Sequence, residues 1–518
     1  MRDSAPRPFS APSAARLPTS PQRRLILARA AVAATAACLL PGVARAALPA
    51  RPAAAPTLLP PALREQLVAS GLAPEHYGLY AAPVSGGAPL LAWQADQPFV
   101  LASTAKLVTS IAALDLLGPD FRWRTEAHLT GPLRDGRLLG DLVIVGGGDA
   151  TLSSVDVLAW MRRWRAAGLE EILGDIVLDR SRFLLSDEDH ASTPTPAAER
   201  PHHVRPDALT LDGGTVQVSV QAGRRGQPRL EVTPPMGSAL RLVNAVTRQG
   251  GCSATAQWRE RAGAEELHVS GAWSADCPAR PLQIAPLNPA ELSRRALAEL
   301  WRQAGGRLQG RVRELPQPGA STPWHPADRA GLAPAPWSEH RSATLGELVR
   351  GMNKVSHNLI ARHLMLSLSP DFPSRPATLA GAQARVRQWL AARGLPADRL
   401  AVDSGSGLSR AERGSPRALT DLLRHSAQGP HARGLLASLP VAGIDGTLEH
   451  RLHGGAAQGQ AWLKTGTLLD ARALAGYVRT RGGRQLAVAL LANDPDPEAA
   501  ARATPALDAC VEWLARHA

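Results

Sequence analysis

Phe99-Val100-Leu101-Ala102-Ser103-Thr104-Ala105-Lys106-Leu107-Val108-Thr109-Ser110-Ile111-Ala112-Ala113-Leu114-Asp115-Leu116-Leu117 is apolar almost throughout and stops at Gly118-Pro119. A helix hydrophobic on all sides is usually central to its domain, so this stretch is expected to run through the core. Ser103 and Lys106 interrupt it three residues apart, a spacing that puts both side chains on one helical face. A serine hydroxyl is a weak nucleophile that needs an adjacent base. Lysine can be that base if burial and a second cation hold its ammonium partly deprotonated. If Ser103 opens the helix, its backbone N–H is also free to meet an oxyanion. The bland alternative, a surface serine beside a snorkelling lysine, sits badly with these surroundings, because a buried lysine needs a reason.

Composition sharpens the point. The formal charge is +13, but of 58 Lys plus Arg only residues 106, 354 and 464 are Lys, and the other 55 are Arg. Arginine stays protonated, whereas a buried lysine can lose its proton. The three lysines are therefore where chemistry is sought first.

Lys464 opens Lys464-Thr465-Gly466-Thr467 inside an apolar strand. Cation and hydroxyl there suit a carboxylate, Gly466 lets a substrate backbone approach closely, and the Thr467 N–H can complete an oxyanion hole. An edge-strand lysine that discourages aggregation is the plain alternative. Lys354 lies just before Ser356-His357-Asn358, where a hydroxyl and an amide two apart could relay a proton and hold a substrate amide. An exposed helix-end cation explains Lys354 as well. Each motif alone is cheap, but the order Ser-x-x-Lys, Ser-x-Asn, Lys-Thr-Gly arises by chance on the order of one time in a thousand.

A length of 518 residues predicts two or three domains. From Phe121 to about Leu315, short β-like runs (141–145, 174–178, 215–220) alternate with Gly/Pro turns. Gly146-Gly147-Gly148-Asp149 lacks the spacing of a dinucleotide fingerprint and is read as a tight turn. Residues 316–336 hold six prolines and read as a linker. Thr344 with Glu347 forms a capping-box pattern, and 461–468, 473–480 and 485–492 read as successive strands, the last two joined by a hairpin at 481–484.

Residues 21–47 read as an export signal: Arg23, Arg24 and Arg29, an apolar run from Ala30 to Leu40, then Ala44-Arg45-Ala46 before Ala47. The run is too short to span a bilayer, and the pattern fits a Sec or a twin-arginine route. Loss of residues 1–46 removes seven Arg and one Asp, lowering the charge to +7. An oxidising compartment permits a Cys252–Cys277 bridge, while Cys510 in an apolar C-terminal helix reads as a buried thiol. The 15 His lack ligand spacing, so neither a metal nor a cofactor is expected. Export also argues against nucleic-acid binding.

The motif set resembles the active-site serine penicillin-recognising enzymes. In detail it is similar to the D-alanyl-D-alanine carboxypeptidase/endopeptidase family of low-molecular-mass, class C penicillin-binding proteins (the DacB type). The resemblance extends to Gly140–Leu152, to Asp403–Arg410 and to Ser415-Pro416, and it covers roughly residues 60–515, most weakly over 190–335. It implies an α/β penicillin-recognising transpeptidase-like domain from 47–122 and 343–518, with 123–342 inserted as two mostly β domains. It implies a periplasmic serine D,D-peptidase that acts on peptidoglycan stem peptides, is inhibited covalently by β-lactams, and keeps no transmembrane anchor after signal cleavage. By motif, Ser103 would be acylated, Lys106 would accept its proton and Ser356 and Asn358 would line the opposite wall. Lys464 and Thr465 would bind the terminal D-alanine carboxylate, and the Ser103 and Thr467 N–H groups would hold the oxyanion. Lys464 would also supply the second cation beside Lys106. His357 fills a variable position. A β-lactamase or esterase on the same fold is the alternative, although no convincing glutamate loop for a deacylating water is found. A wall-binding scaffold with an inert site is a third reading.

Overall fold

The structure, a computed structural model, describes residues 58–191, 201–224, 227–248, 251–261, 264–277, 281–285, 287–315 and 335–517. The expected export signal and nearly all of the proline-rich 316–336 segment lie outside them.

The stretch that carries Ser103 is not one helix. Phe99–Val100 is a short strand paired antiparallel with 413–414. Ala102 then takes a positive φ of 45°, which no helix tolerates, and Ala102–Thr104 forms a single 3-10 turn. The helix proper, α1, runs Ala105–Leu117 and ends at Gly118 with φ 83°. Every residue from Ala105 to Leu114 is buried, so the expectation of a central helix is met by its second part.

What α1 packs beneath is a five-stranded antiparallel sheet. Its strands are β1 (Tyr77–Pro83), β2 (Leu91–Trp93), β3 (Ala461–Leu468), β4 (Ala471–Arg479) and β5 (Gln485–Asn493), in the spatial order β2-β1-β5-β4-β3. Alternation sorts the strands onto two cores. Ala473, Ala475, Tyr477, Ala487, Ala489 and Leu491 face α1 together with α2 (Leu345–Val355), α3 (Asn358–Ser367) and α4 (Pro416–Ala427). Leu474, Val478, Leu486, Val488 and Leu490 face α5 (Pro497–His517) and the helix Pro61–Ala69. With both faces covered, β5 is buried at all of its seven inner positions, which is why it reads as a continuous apolar run rather than an alternating one. β3 is left at the sheet's edge.

The expected capping box opens α2, with the Thr344 side chain accepting from the Glu347 N–H and the Glu347 carboxylate accepting from the Thr344 N–H. The hairpin at 481–484 closes with Thr480 N–H on the Arg484 carbonyl.

Between Phe121 and Arg341 the chain builds further sheets. One has five strands in the order 312–314, 176–179, 142–145, 124–129, 338–341, so the chain leaves and returns on neighbouring antiparallel strands. Helices Ser154–Ala166 and Pro289–Gln303 pack on it through Trp160, Trp164 and Trp301. Two three-stranded sheets follow, one of them the strands 241–247, 255–261 and 264–272. Cys252 and Cys277 form a disulfide there, with Cα atoms 5.5 Å apart. Cys510 is buried in α5, where burial pushes its thiol up to about 12. Gly146–Asp149 is not itself the expected tight turn. It runs on from the 142–145 strand, with Gly146 N–H on the Asp179 carbonyl and Gly148 N–H on the Ala208 carbonyl, and the turn comes at Ala150-Thr151. Its glycines are contact points, since a Cβ on Gly147 would meet the Arg124 carbonyl at 2.2 Å.

Candidate active site

Lys106 is fully buried in the first turn of α1, and its ammonium has three hydrogen-bond acceptors: Ser103 Oγ at 2.9 Å, Asn358 Oδ1 at 2.7 Å and the Ser406 carbonyl at 2.5 Å. That set matches the three N–H bonds of an ammonium. When the group is neutral, its two N–H bonds can stay on Asn358 and Ser406, and the lone pair then faces Ser103 Oγ. The geometry is that of a base aimed at a hydroxyl. Burial pushes the Lys106 pKa down to about 7, opposed by the charge of Glu412.

Lys464 is the second buried cation. From β3 its Nζ donates to Ser356 Oγ at 2.9 Å and to the Thr465 carbonyl at 2.7 Å. Burial first, and then the charge of Lys106, hold it well below the ordinary lysine value. Burial is the largest cause at both lysines, and the repulsion between the two buried cations works in the same direction.

The loop between α2 and α3 joins the two networks. Ser356 ends α2 in the left-handed conformation, φ 60°, which turns the chain so that Asn358 opens α3. Ser356 thereby reaches Lys464 while Asn358 reaches Lys106. Asn358 Nδ2 also donates to the His202 carbonyl at 3.2 Å. His357 accepts the Ile360 N–H as the cap of α3.

Gly466 brings β3 against the serine turn. A Cβ there would stand 3.1 Å from the Ser103 nitrogen and 3.0 Å from Ala102 Cβ, so what comes close to this glycine is the protein's own Ala102–Ser103 turn, where a substrate backbone was expected. Thr467 follows it and is exposed. Thr465 Oγ1 donates to Thr447 Oγ1 at 2.7 Å, a partner the motifs did not announce. Lys354 stands apart from both networks: its Nζ donates to both Asp445 oxygens, at 2.7 and 2.6 Å, and to the Leu439 carbonyl at 2.6 Å. It is a clamp on the segment that leads into β3 rather than a free helix-end cation.

Sequence reasoning marked Asp403–Arg410 only as part of the resemblance and passed over Glu412, which holds that loop. Glu412 is fully buried, and burial, with Asp403 adding to it, pushes its carboxyl up to about 7. Its only trace in the sequence is a lone acidic residue after a Gly/Ser-rich run.

A cleft of about 1220 Å³ opens from Ser356 and Asn358 along a wall that includes Gln217, Ser219 and Gln283. Among the described residues no cluster of His, Cys, Asp or Glu could hold a metal ion, and no helix is long and apolar enough to cross a membrane.

This arrangement has relatives. The D-alanyl-D-alanine carboxypeptidase of Actinomadura sp. (strain R39) is 30% identical over 432 residues, covering 80% of this chain and 77% of that protein. The D-alanyl-D-alanine carboxypeptidase DacB of Haemophilus influenzae is 24% identical over 76% of this chain and 80% of its own length. The crystal structure of penicillin binding protein 4 (dacB) from that organism superposes with a TM-score of 0.65 at 22% identity, over 84% of this chain and 92% of that one. A second crystal structure of the same protein is a complex with a β-lactam. Residues 61–517 match the family described as D-Ala-D-Ala carboxypeptidase 3 (S13), and with nearly all the described residues inside that match, the chain belongs to this family.

Proposed function

We propose that Ser103 is the nucleophile with which this serine D,D-peptidase opens D-alanyl-D-alanine, and that Lys106 is its base. The observation that carries the assignment is the fully buried Lys106 Nζ 2.9 Å from Ser103 Oγ. Neutral Lys106 takes the hydroxyl proton as Oγ bonds to the carbonyl carbon of the penultimate D-alanine. The oxyanion forms against the N–H groups of Ser103 and Thr467. When the tetrahedral intermediate collapses, the C–N bond breaks. The proton held by Lys106 passes by way of Ser356 to the leaving nitrogen, and free D-alanine departs. Water then attacks the ester carbonyl, with Lys106 again taking a proton, and Ser103 is released. Asn358 keeps Lys106 in place and offers its amide to the substrate.

Lys464 and Thr465 receive the terminal carboxylate. That anion restores the charge of Lys464, since a carboxylate in contact favours the ammonium form. The depressed lysine of the empty site and the cationic lysine of the complex are two states of one group. A β-lactam carries the same carboxylate and a strained amide, so it acylates Ser103 and is released slowly. The β-lactam complex of the Haemophilus influenzae protein supports this.

The catalytic domain is assigned to 47–122 and 343–518 and the insertion to 123–342, supported by the pairing of 124–129 with 338–341 at the crossing point. The pattern of residues 21–47 supports export to the periplasm, where peptidoglycan stem peptides are the substrate. Fluorescent penicillin labelling of the purified chain tests the central assignment: one covalent label per molecule is expected, lost in Ser103→Ala. Label that survives the substitution overturns it.

A further inference from the structure

One peptide group links Lys106 to Glu412. The carbonyl of Ser406 accepts from Lys106 Nζ at 2.5 Å, and the N–H on the other side of the same peptide, that of Gly407, donates to Glu412 Oε2 at 2.6 Å. The residue before adds two contacts, through the two different peptides that flank it. The Gly405 carbonyl accepts from Thr109 Oγ1 at 2.7 Å, one helical turn along α1 from Lys106, and the Gly405 N–H donates to Glu412 Oε1 at 2.6 Å. In the 404–407 loop the Gly405 and Ser406 carbonyls thus face α1, while the Gly405 and Gly407 amides face a fully buried carboxylate and the Ser406 amide turns to Ser404 Oγ. Only glycine fits two of its positions. A Cβ on Gly407 would lie 1.9 Å from the Ala102 carbonyl oxygen, and one on Gly405 would lie 2.7 Å from Met365 Cβ. The main chain of Glu412 holds the other side of the site, because its carbonyl accepts the Leu101 N–H at 3.0 Å, two residues before Ser103.

We propose that Glu412 is a positioning residue for the catalytic base: its carboxylate orients the Ser406–Gly407 peptide, whose carbonyl fixes Lys106 Nζ between Ser103 and Asn358. The inference rests on Lys106 being the base. A charged acceptor polarises the peptide it binds and strengthens the hydrogen bond on the far side. The same charge favours the protonated lysine, which is the state formed once Ser103 has given up its proton. The charged and titratable groups that face Glu412 are Lys106 from α1, Asp403 from the loop and Arg362 from α3. Lys106 is faced in addition by His357 and Lys464.

The test is the rate of acylation by fluorescent penicillin from pH 5 to 9 on the full chain, with end-point labelling counting the active fraction. Glu412→Gln keeps one acceptor but turns an amide toward the other glycine N–H. Its end-point labelling is expected to stay complete while the plateau rate falls about tenfold or more, the scale of a sub-ångström misplacement. The midpoint of the pH profile is expected to move to lower pH, since the protonated lysine has lost its counter-charge. Glu412→Asp, with the charge kept and the arm shortened, is expected to lower the plateau and leave the midpoint. A Glu412→Gln protein with wild-type plateau and midpoint overturns the proposal. So does one in which fewer molecules label but those that do keep the wild-type rate and midpoint, because that is a purely structural role. If Glu412→Gln does not fold, Ser404→Ala removes the 3.3 Å hydroxyl contact to the same carboxylate, and a smaller loss in plateau is expected. An unchanged plateau there overturns it equally. Ser103→Ala serves as the control: labelling that persists in it defeats the nucleophile assignment, whatever Glu412 does.

Discussion

Two regions of this molecule bury a cation, and they do opposite things with it. In the insertion, Arg180 has a side chain only 5% exposed, and its guanidinium lies against Asp207 and Glu314, with the Leu209 carbonyl at 3.0 Å. Burial works against its charge, but the two carboxylates outweigh burial and raise its pKa further. In the active site, Lys106 is as deeply buried, yet its contacts are a hydroxyl, an amide oxygen and a peptide carbonyl, none of them charged. The one nearby carboxylate, Glu412, acts through a peptide rather than by contact. Burial prevails, and the lysine sits at about 7. With Lys106 as the proposed base, contact with a carboxylate separates a structural cation from a reactive one. A chain that uses arginine for nearly all its positive charge then has lysine at the position where the proton must come off.

The strongest challenge to this contrast is to make the reactive cation permanent. Lys106→Arg keeps the charge and removes the ability to titrate. Acylation by penicillin is expected to fall about a thousandfold, within the range for loss of a general base. Arginine that sustains acylation at more than about a tenth of the wild-type rate removes Lys106 from the role of base.

Acidity tests the same residue without a substitution. With Lys106 as the proposed base the working form is the neutral amine, and its pKa is lowered, so activity is expected above the midpoint and lost below it. Acylation is expected to rise through pH of about 7 and to fall at least about tenfold per unit beneath it, since the Glu412 carboxyl also lies at about 7, reaching a loss of about a hundredfold or more at pH 5. A profile flat from pH 5 to 8 would remove the titrating base.

The insertion is expected to respond in stability rather than rate. Arg180→Met leaves Asp207 and Glu314 facing each other without a cation, at a cost of about 2 kcal/mol after allowance for their partial exposure, read from the midpoint of denaturant unfolding. Acylation per folded molecule is expected to stay at the wild-type rate. A fall of tenfold in that rate would mean that the insertion's ion pairs reach the active site.

Much of the site was legible because its chemistry comes in short motifs. Ser103 and Lys106 stood out by their spacing, their apolar setting and their order with the other two motifs, and β3–β5 by their runs of small and branched residues. What the sequence concealed depends on contacts between distant segments. The break at Ala102 follows from the Phe99–Val100 strand pairing with 413–414, more than 300 residues on. Glu412 meets Lys106 across an equal separation, through a loop whose geometry no local pattern encodes. How far burial lowers the lysine's pKa was hidden for the same reason: a second cation is visible as a letter, whereas the degree of burial is a property of the packed core. The fate of the third lysine was likewise hidden, since Asp445 lies 91 residues away.

That third lysine gives the smallest expected effect and the cleanest internal control. Lys354 is half-buried, and its ammonium is held by both oxygens of Asp445, so by the contrast drawn above it is structural. A guanidinium forks onto a carboxylate at least as well as an ammonium does. Lys354→Arg is therefore expected to leave acylation within about threefold of wild type and stability within about 1 kcal/mol, the scale of a partly exposed ion pair. The same chemical substitution would then cost a thousandfold at residue 106 and almost nothing at residue 354. A loss at Lys354→Arg that approaches the loss at Lys106→Arg, with Tm unchanged, breaks the rule that carboxylate contact marks the structural cation. It would place Lys354 with the proton path through Ser356, its neighbour two residues on.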